Sequence, residues 1–213
     1  MKVLIKCVLL LMFLVSCNSN QKQLDIIEVN LTKDWAKISE KLELTESDNN
    51  TSEYLNSYET KNIDNIKINT FSIPAIKNTA TIALPTENKV AFLFNDKEKK
   101  QLVEIETSLN YLNNNTEILN LISDKYGKGK LLSEEGTVNK IKGIENYVWK
   151  NIDNNHTLFL STFSLGNIQD LETKSSKKQY SCILYLVANN AEIIYPNGQK
   201  ETILERLIVK LSS

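Results

Sequence analysis

The first seventeen residues set the terms for everything that follows them. Lys2 and Lys6 give a positive start, and residues 7–15 form an unbroken apolar run. Those nine apolar residues, about twelve with residues 3–5, fall short of the ~20 that a helix needs to cross roughly 30 Å of hydrocarbon. Length and flanks match the apolar region of a secretory signal peptide. A buried core helix is the competing reading. It fails because the run is apolar on every side and no capping residue precedes it. The domain is therefore expected to begin beyond this leader.

The run ends in Leu14-Val15-Ser16-Cys17, followed directly by polar Asn18-Ser19-Asn20-Gln21-Lys22. Position, charge, apolar length and the small residue before the cysteine together resemble the lipobox of bacterial lipoproteins, over about the first twenty residues. The resemblance implies a diacylglycerol on the Cys17 sulfur, cleavage by signal peptidase II before Cys17, and acylation of the new amino group. It divides the chain into a signal peptide (1–16), a tether (17–23) and a domain (24–213). One acyl chain holds a protein to a bilayer only reversibly, whereas two or three add about 0.8 kcal/mol per buried CH₂ and hold it firmly. Residues 18–23 reach about 20 Å when extended at roughly 3.3 Å per residue, which keeps the domain close to the bilayer. Lipoproteins retained in an inner membrane tend to carry aspartate just after the cysteine. Asn18 stands there, so the resemblance points to the outer membrane, with the domain facing the periplasm.

The cysteine count follows from this placement. Cys7 leaves with the leader and Cys17 becomes a thioether, so Cys182 alone keeps a thiol and no internal disulfide can form. Cys182 lies in a strongly β-forming run, residues 180–187, which predicts a buried and inert thiol. Loss of Lys2 and Lys6 leaves 23 basic against 26 acidic residues, a net charge of about −3 where the whole chain carries −1. That balance argues against a general nucleic-acid binder, which needs excess positive charge to displace counterions. Arg206 is the one arginine, and asparagine makes up about an eighth of the chain, far above ordinary usage. The asparagine excess reads as compositional bias without functional content.

Along the mature chain, residues 24–31 alternate loosely as a short strand. Thr32 is placed to cap a helix carrying Trp35, Ile38 and Leu42. Residues 46–62 read as a polar loop and as a possible internal boundary, with residues 108–114 as a second. From residue 66 the apolar period changes to two. Short strands are expected at 66–71, 79–84, 89–94 and 101–107, the last two joined by a charged hairpin tip at 95–99. Asn114, with Glu117 three residues on and Gly127 as a stop, predicts a helix over 115–126. Strands follow at 146–150, 157–163, 180–187 and 192–195. Residues 202–211 read as a helix, although their β-branched content leaves a strand open. The sum is an α+β domain: a largely antiparallel meander with one or two helices packed on a face. A two-lobed arrangement split near 108–114 is the alternative.

Chemistry is sparse. With one histidine and one free thiol, a zinc site of ordinary type is not available. The loops at 48–52 and 153–157 lack the spacing and glycine of a calcium loop. His156 falls in a hairpin loop with no Gly-x-Ser-x-Gly elbow elsewhere, and reads as a surface residue. The glycines of Gly127-Lys128-Gly129-Lys130 follow a helix instead of preceding one, so they mark a helix stop and not a phosphate cradle. Glu104 and Glu106 share a strand face by period two, as the wet side of a sheet or as a carboxylate pair, and Glu134-Glu135 sit beside Gly136. Tyr147, Trp149, Phe159 and Phe163 cluster in the paired strands. Core packing is their ordinary role, but Tyr147 and Trp149 share a face able to line a ligand groove or partner patch.

These readings favour a non-enzymatic envelope protein, without catalytic residues, cofactor or metal, held to the membrane through Cys17 and engaging another envelope protein by its sheet or loops. A carrier of a small apolar ligand, using a pocket between helix and sheet, is the alternative from another class. A carboxylate-dependent hydrolase ranks third.

Overall fold

The structure, a computed structural model, describes residues 23–33, 35–47, 55–60, 62–75, 87–95, 99–133, 143–169 and 176–212. Its elements in chain order begin with β1 (Leu24–Asp25), a 3-10 turn (Ile26–Glu28), α1 (Ala36–Lys41), β2 (Leu44–Glu46) and β3 (Asn56–Thr60). A second 3-10 turn (Ile63–Asn65), β4 (Ile66–Ile68), β5 (Phe71–Ser72), β6 (Lys89–Phe94) and β7 (Leu102–Leu112) come next. After α2 (Glu117–Tyr126) the chain forms β8 (Lys130–Leu131), β9 (Ile144–Trp149), β10 (His156–Gln169) and β11 (Ser176–Ala188). It ends with β12 (Glu192–Ile194), β13 (Lys200–Thr202) and α3 (Ile203–Ser212).

Eight strands make one sheet in the order β2-β3-β6-β7-β11-β10-β9-β8. Every neighbouring pair in it is antiparallel. The α+β architecture expected from the period-two segments is therefore the one observed. Because side chains alternate across a strand, the register separates two faces. One row runs Trp149, Leu158, Leu186, Ile105, Phe92 and Tyr58 across six strands. The adjacent row, Val148, Phe159, Tyr185, Glu106 and Ala91, points the other way.

Each face has its own cover. Ile118 and Ile122 of α2, with Ile26, Ile27, Leu31 and Trp35 from the N-terminal segment, pack on the first face in one continuous core. Ile203, Leu207 and Leu211 of α3, joined by Ile193, pack on the second against Phe159, Tyr185 and Val187. Burial of each such side chain contributes about 1.5–3 kcal/mol before ordering costs. Both faces are thus occupied by the chain itself. Among the described residues Ile194 and Val209 are the exposed large apolar side chains.

Local chemistry explains the helix ends. For α2, Gly127 takes φ +79° and donates its N–H to the Ser123 carbonyl at 2.9 Å, the left-handed stop that glycine permits. Its start differs from expectation: Thr116 is the N-cap, and Asn114 Oδ1 accepts from Thr116 N and Oγ1 at 2.9 and 2.8 Å, closing a local turn instead of a capping box. The box occurs instead at α3. Thr202 Oγ1 accepts from Glu205 N at 3.1 Å while Glu205 Oε2 accepts from Thr202 N at 3.0 Å. This arrangement decides residues 203–212 for helix.

Other expectations need correction. Thr32 does not cap α1: Trp35 holds the N-cap position, and both Thr32 donors go to Asn30 Oδ1. Residues 24–31 contribute two strand residues and then a 3-10 turn, because Ile26 and Ile27 are consecutive and both buried, which a strand with one buried face cannot satisfy. The polar loop expected over 46–62 holds β3, whose Ser57 and Tyr58 are buried against β6. Residues 66–72 form a small hairpin turning at Asn69, with β4 also pairing in parallel to β1, outside the main sheet. β7 runs through residue 112 and pairs with β11 as far as Leu112–Tyr180. The strand expected at 79–84, the pair Glu134-Glu135 and the whole segment 1–22, Cys17 included, lie outside the described residues.

Candidate functional site

Where the chain enters the domain it forms a groove of about 590 Å³. Its walls come from segments distant in sequence. β1 pairs with β4 through Leu24–Ile66 and Asp25–Lys67, and the 3-10 turn then sends Ile26 and Ile27 into the core. That turn leaves Glu28 pointing outward and Val29 at the groove floor. Opposite lies the last turn of α1, presenting Ile38 and Leu42. Leu24, Val29, Ile38 and Leu42 make the lining predominantly apolar, and Asp25, Glu28, Lys41 and Lys67 stand on its rim.

The rim charges are not equivalent. Asp25 Oδ1 accepts from the Asn69 N–H at 3.0 Å. Glu28 pairs with Lys125 on α2, which holds that ammonium above its usual pKa against the opposing effect of burial. The ammonium groups of Lys41 and Lys67 have no hydrogen-bond or ion-pair partner among the described residues. Both acids are therefore engaged with the protein and both lysines are available.

Tyr147 and Trp149 occupy the first face of β9, their rings 6.4 Å apart and tilted by 34°. Trp149 is buried in the core, and its indole N–H donates to the Gly127 carbonyl at 2.7 Å. Gly129 is the reason the ring fits. A Cβ there would lie 2.5 Å from Trp149 Cζ2, so this glycine makes room for an indole as well as following a helix stop. Tyr147 is half-buried with its hydroxyl toward Glu145 Oε2 at 3.1 Å. Trp149 also borders a groove of about 370 Å³ rimmed by Lys128, Lys130 and Lys150.

The paired carboxylates are not on a wet face. Glu104 pairs in register with Val187 and Leu93, both buried, and is itself 4% exposed. Burial first, then the Glu106 charge, raises its carboxyl from 4.5 to about 7, against the lowering effects of Lys210 and Arg206. Glu106 lies beside Tyr185 in the register and pairs with Lys210 of α3 at 3.1 Å, while the same ammonium stands 4.9 Å above the Tyr185 ring. Burial and the two glutamates push the Tyr185 hydroxyl above its ordinary range. The helix at 203–212, where β-branched content left a strand open, covers this cluster, so Glu104 is buried and Glu106 is only partly exposed.

His156 is likewise not a surface residue. It begins β10, is 1% exposed, and bridges two segments. Nε2 accepts from the buried Leu31 N–H at 3.3 Å and Nδ1 faces Asp153 Oδ2 at 2.5 Å. Only a neutral ring with its proton on Nδ1 satisfies both. Burial pushes the Asp153 carboxyl up, but the His156 ring and the amides of Asn155 and His156 outweigh it and hold it below its usual range. A three-residue turn thereby anchors the N-terminal segment to the sheet. Cys182 is buried on the first face, where burial pushes its thiol up to about 12, so it is a poor nucleophile.

Among the described residues no three His, Cys, Asp or Glu side chains converge at metal-ligand distance, and no helix is long and apolar enough to cross a membrane. No family model, curated protein or solved structure matches the chain.

Proposed function

We propose that this chain is a bacterial lipoprotein, acylated at Cys17 and anchored in the outer membrane with its domain in the periplasm, where it engages another envelope protein by strand addition and performs no catalysis. The observation that carries the partner reading is a ribbon. β10 and β11 outrun their neighbours: β9 pairs with β10 only from Leu158 to Phe163, and β7 pairs with β11 only from Tyr180 to Val187. Beyond them, residues 166–169 pair with 176–179, and no third strand joins 167–169 or 176–178 among the described residues. A two-stranded ribbon carries a row of backbone donors and acceptors on each edge, a ready template for a further strand. Gly166, at φ +82°, sits where the register shifts, a bulge of the kind that bends a strand and interrupts pairing.

Among the described residues both sheet faces are covered by the chain and the exposed large apolar side chains are Ile194 and Val209, which favours backbone pairing over an apolar patch as the means of attachment. Lys177 and Lys178 are exposed on the ribbon, so an incoming strand rich in acidic side chains suits it best.

Two measurements test the proposal. Cys17→Ala should move the protein out of the acylated membrane pool and abolish the acyl mass on the polypeptide; unchanged acyl mass refutes the anchor. A photo-crosslinking amino acid placed at 178 in intact cells should give a discrete adduct with one envelope protein, and the same group at 190, an exposed turn elsewhere, should not. Equal yields at both positions refute the ribbon as the docking edge.

A further inference from the structure

We infer that the groove at the domain entrance binds a single-chain anionic amphiphile, specifically a free long-chain fatty acid. Three observations combine. The volume is about 590 Å³, within the range of small-molecule sites. At about 30 Å³ per methylene, close to a water's share of liquid volume, a sixteen-carbon chain needs roughly 500 Å³, which the groove is large enough to hold. The lining is apolar at Leu24, Val29, Ile38 and Leu42, which suits a hydrocarbon tail.

The rim then selects the head. Asp25 accepts from the Asn69 amide and keeps its charge, and Glu28 is paired with Lys125. The ammonium groups of Lys41 and Lys67 face the same groove with no partner among the described residues, so with Lys125 the rim carries three ammonium groups against two carboxylates. Two available ammonium groups beside two engaged carboxylates complement a carboxylate head and leave a neutral alcohol unrewarded. The entrance also follows directly on residues 17–23, so the nearness of the groove to a bilayer rests on the anchor proposed above, while binding itself does not.

The test uses the full chain in envelope vesicles with a diazirine-bearing palmitate as photoprobe, followed by peptide mapping and intact mass of the same sample. Adducts should fall on peptides holding residues 24–29 and 38–42, and unlabelled palmitate should compete at about tenfold lower concentration than hexadecanol. Lys41→Gln with Lys67→Gln removes no hydrogen bond or ion pair among the described residues, so a melting curve should show the fold kept while labelling weakens about tenfold. Ile38→Asp, on the partly buried wall, should abolish labelling, with a melting curve to show that the domain is intact.

Adducts scattered outside the groove, equal competition by the alcohol, or undiminished labelling in the lysine variant would overturn the inference. So would labelling of the same peptides by a diazirine phospholipid that palmitate cannot displace, which would assign the groove to membrane lipid. Intact mass reports Cys17 acylation separately, so failure of the groove and failure of the anchor give different results.

Discussion

Glu104 makes folding depend on pH in a way that the arrangement on β7 quantifies. Its carboxyl is buried between Val187 and Leu93 beneath α3, and its pKa rises from 4.5 to about 7. The folded state therefore holds a proton that the unfolded chain releases between those two values. Stability from this group is fully present below pH 4.5, falls as pH rises through the window, and levels off above about 7. At 1.36 kcal/mol per pKa unit the loss is about 3 kcal/mol. Glu104→Gln, isosteric with the protonated acid, removes the titration. The variant should match the parent near pH 4 and exceed it by about 3 kcal/mol at pH 8, or roughly 6–12 °C in Tm for a domain of this size. Thermal melts of both proteins at half-unit steps from pH 4 to 8 measure the difference curve, in which titrations common to both cancel. Lys210→Gln should extend the window to higher pH and enlarge the total loss, because Lys210 lowers the Glu104 pKa. A flat difference curve across the window, or a Gln variant less stable at pH 8, refutes the account of this site.

Two further substitutions test packing and capping. Gly129→Ala drives a methyl into the Trp149 indole, which cannot swing aside without losing its bond to Gly127; we expect a loss of about 2–4 kcal/mol in urea unfolding. Gly127→Ala, at φ +79° with nothing within 4 Å, should cost only about 1–2 kcal/mol, so the order of the two midpoints is the measurement. Thr202→Ala removes the hydroxyl of the α3 capping box and should cost about 1 kcal/mol, with Thr202→Ser close to neutral in the same assay.

What could be read in advance was the information that is local. Strand alternation at β6, β7, β10 and β11, the Gly127 stop of α2 and the burial of Cys182 all depend on neighbours within a few residues, and each appears as expected. Thr202 and Glu205 were also within reach: a threonine three residues before a glutamate, opening an apolar run, signals a helix start at α3, where the helix reading leaves a strand open on β-branched content. Some local signals also misled, as at Thr32 and Asn114, but the errors at the candidate sites concern long-range partners. Glu104 and Glu106 have the alternation of a wet face, and only the return of α3 about a hundred residues later covers them. His156 sits in a polar turn and is buried by Leu31, 125 residues before it. The groove joins residues from β1, α1 and β4, so no single window contains its lining.

The same covering argument bears on how the domain can meet anything else. A sheet with one open face would attach a partner through apolar side chains, but here α2 with the N-terminal segment and α3 each claim a face. Covering both faces leaves the features that packing does not use: backbone along the ribbon edges, and a concavity where three short elements meet without filling the space between them. These have different requirements. As a docking edge the ribbon would accept an extended backbone with little demand on sequence, and affinity would vary with charge beside Lys177 and Lys178. The groove as proposed would select by volume and head group, so its occupancy would vary with chain length. Each can be altered without touching the other, since β10–β11 belong to the main sheet and β1–β4 to a small one outside it.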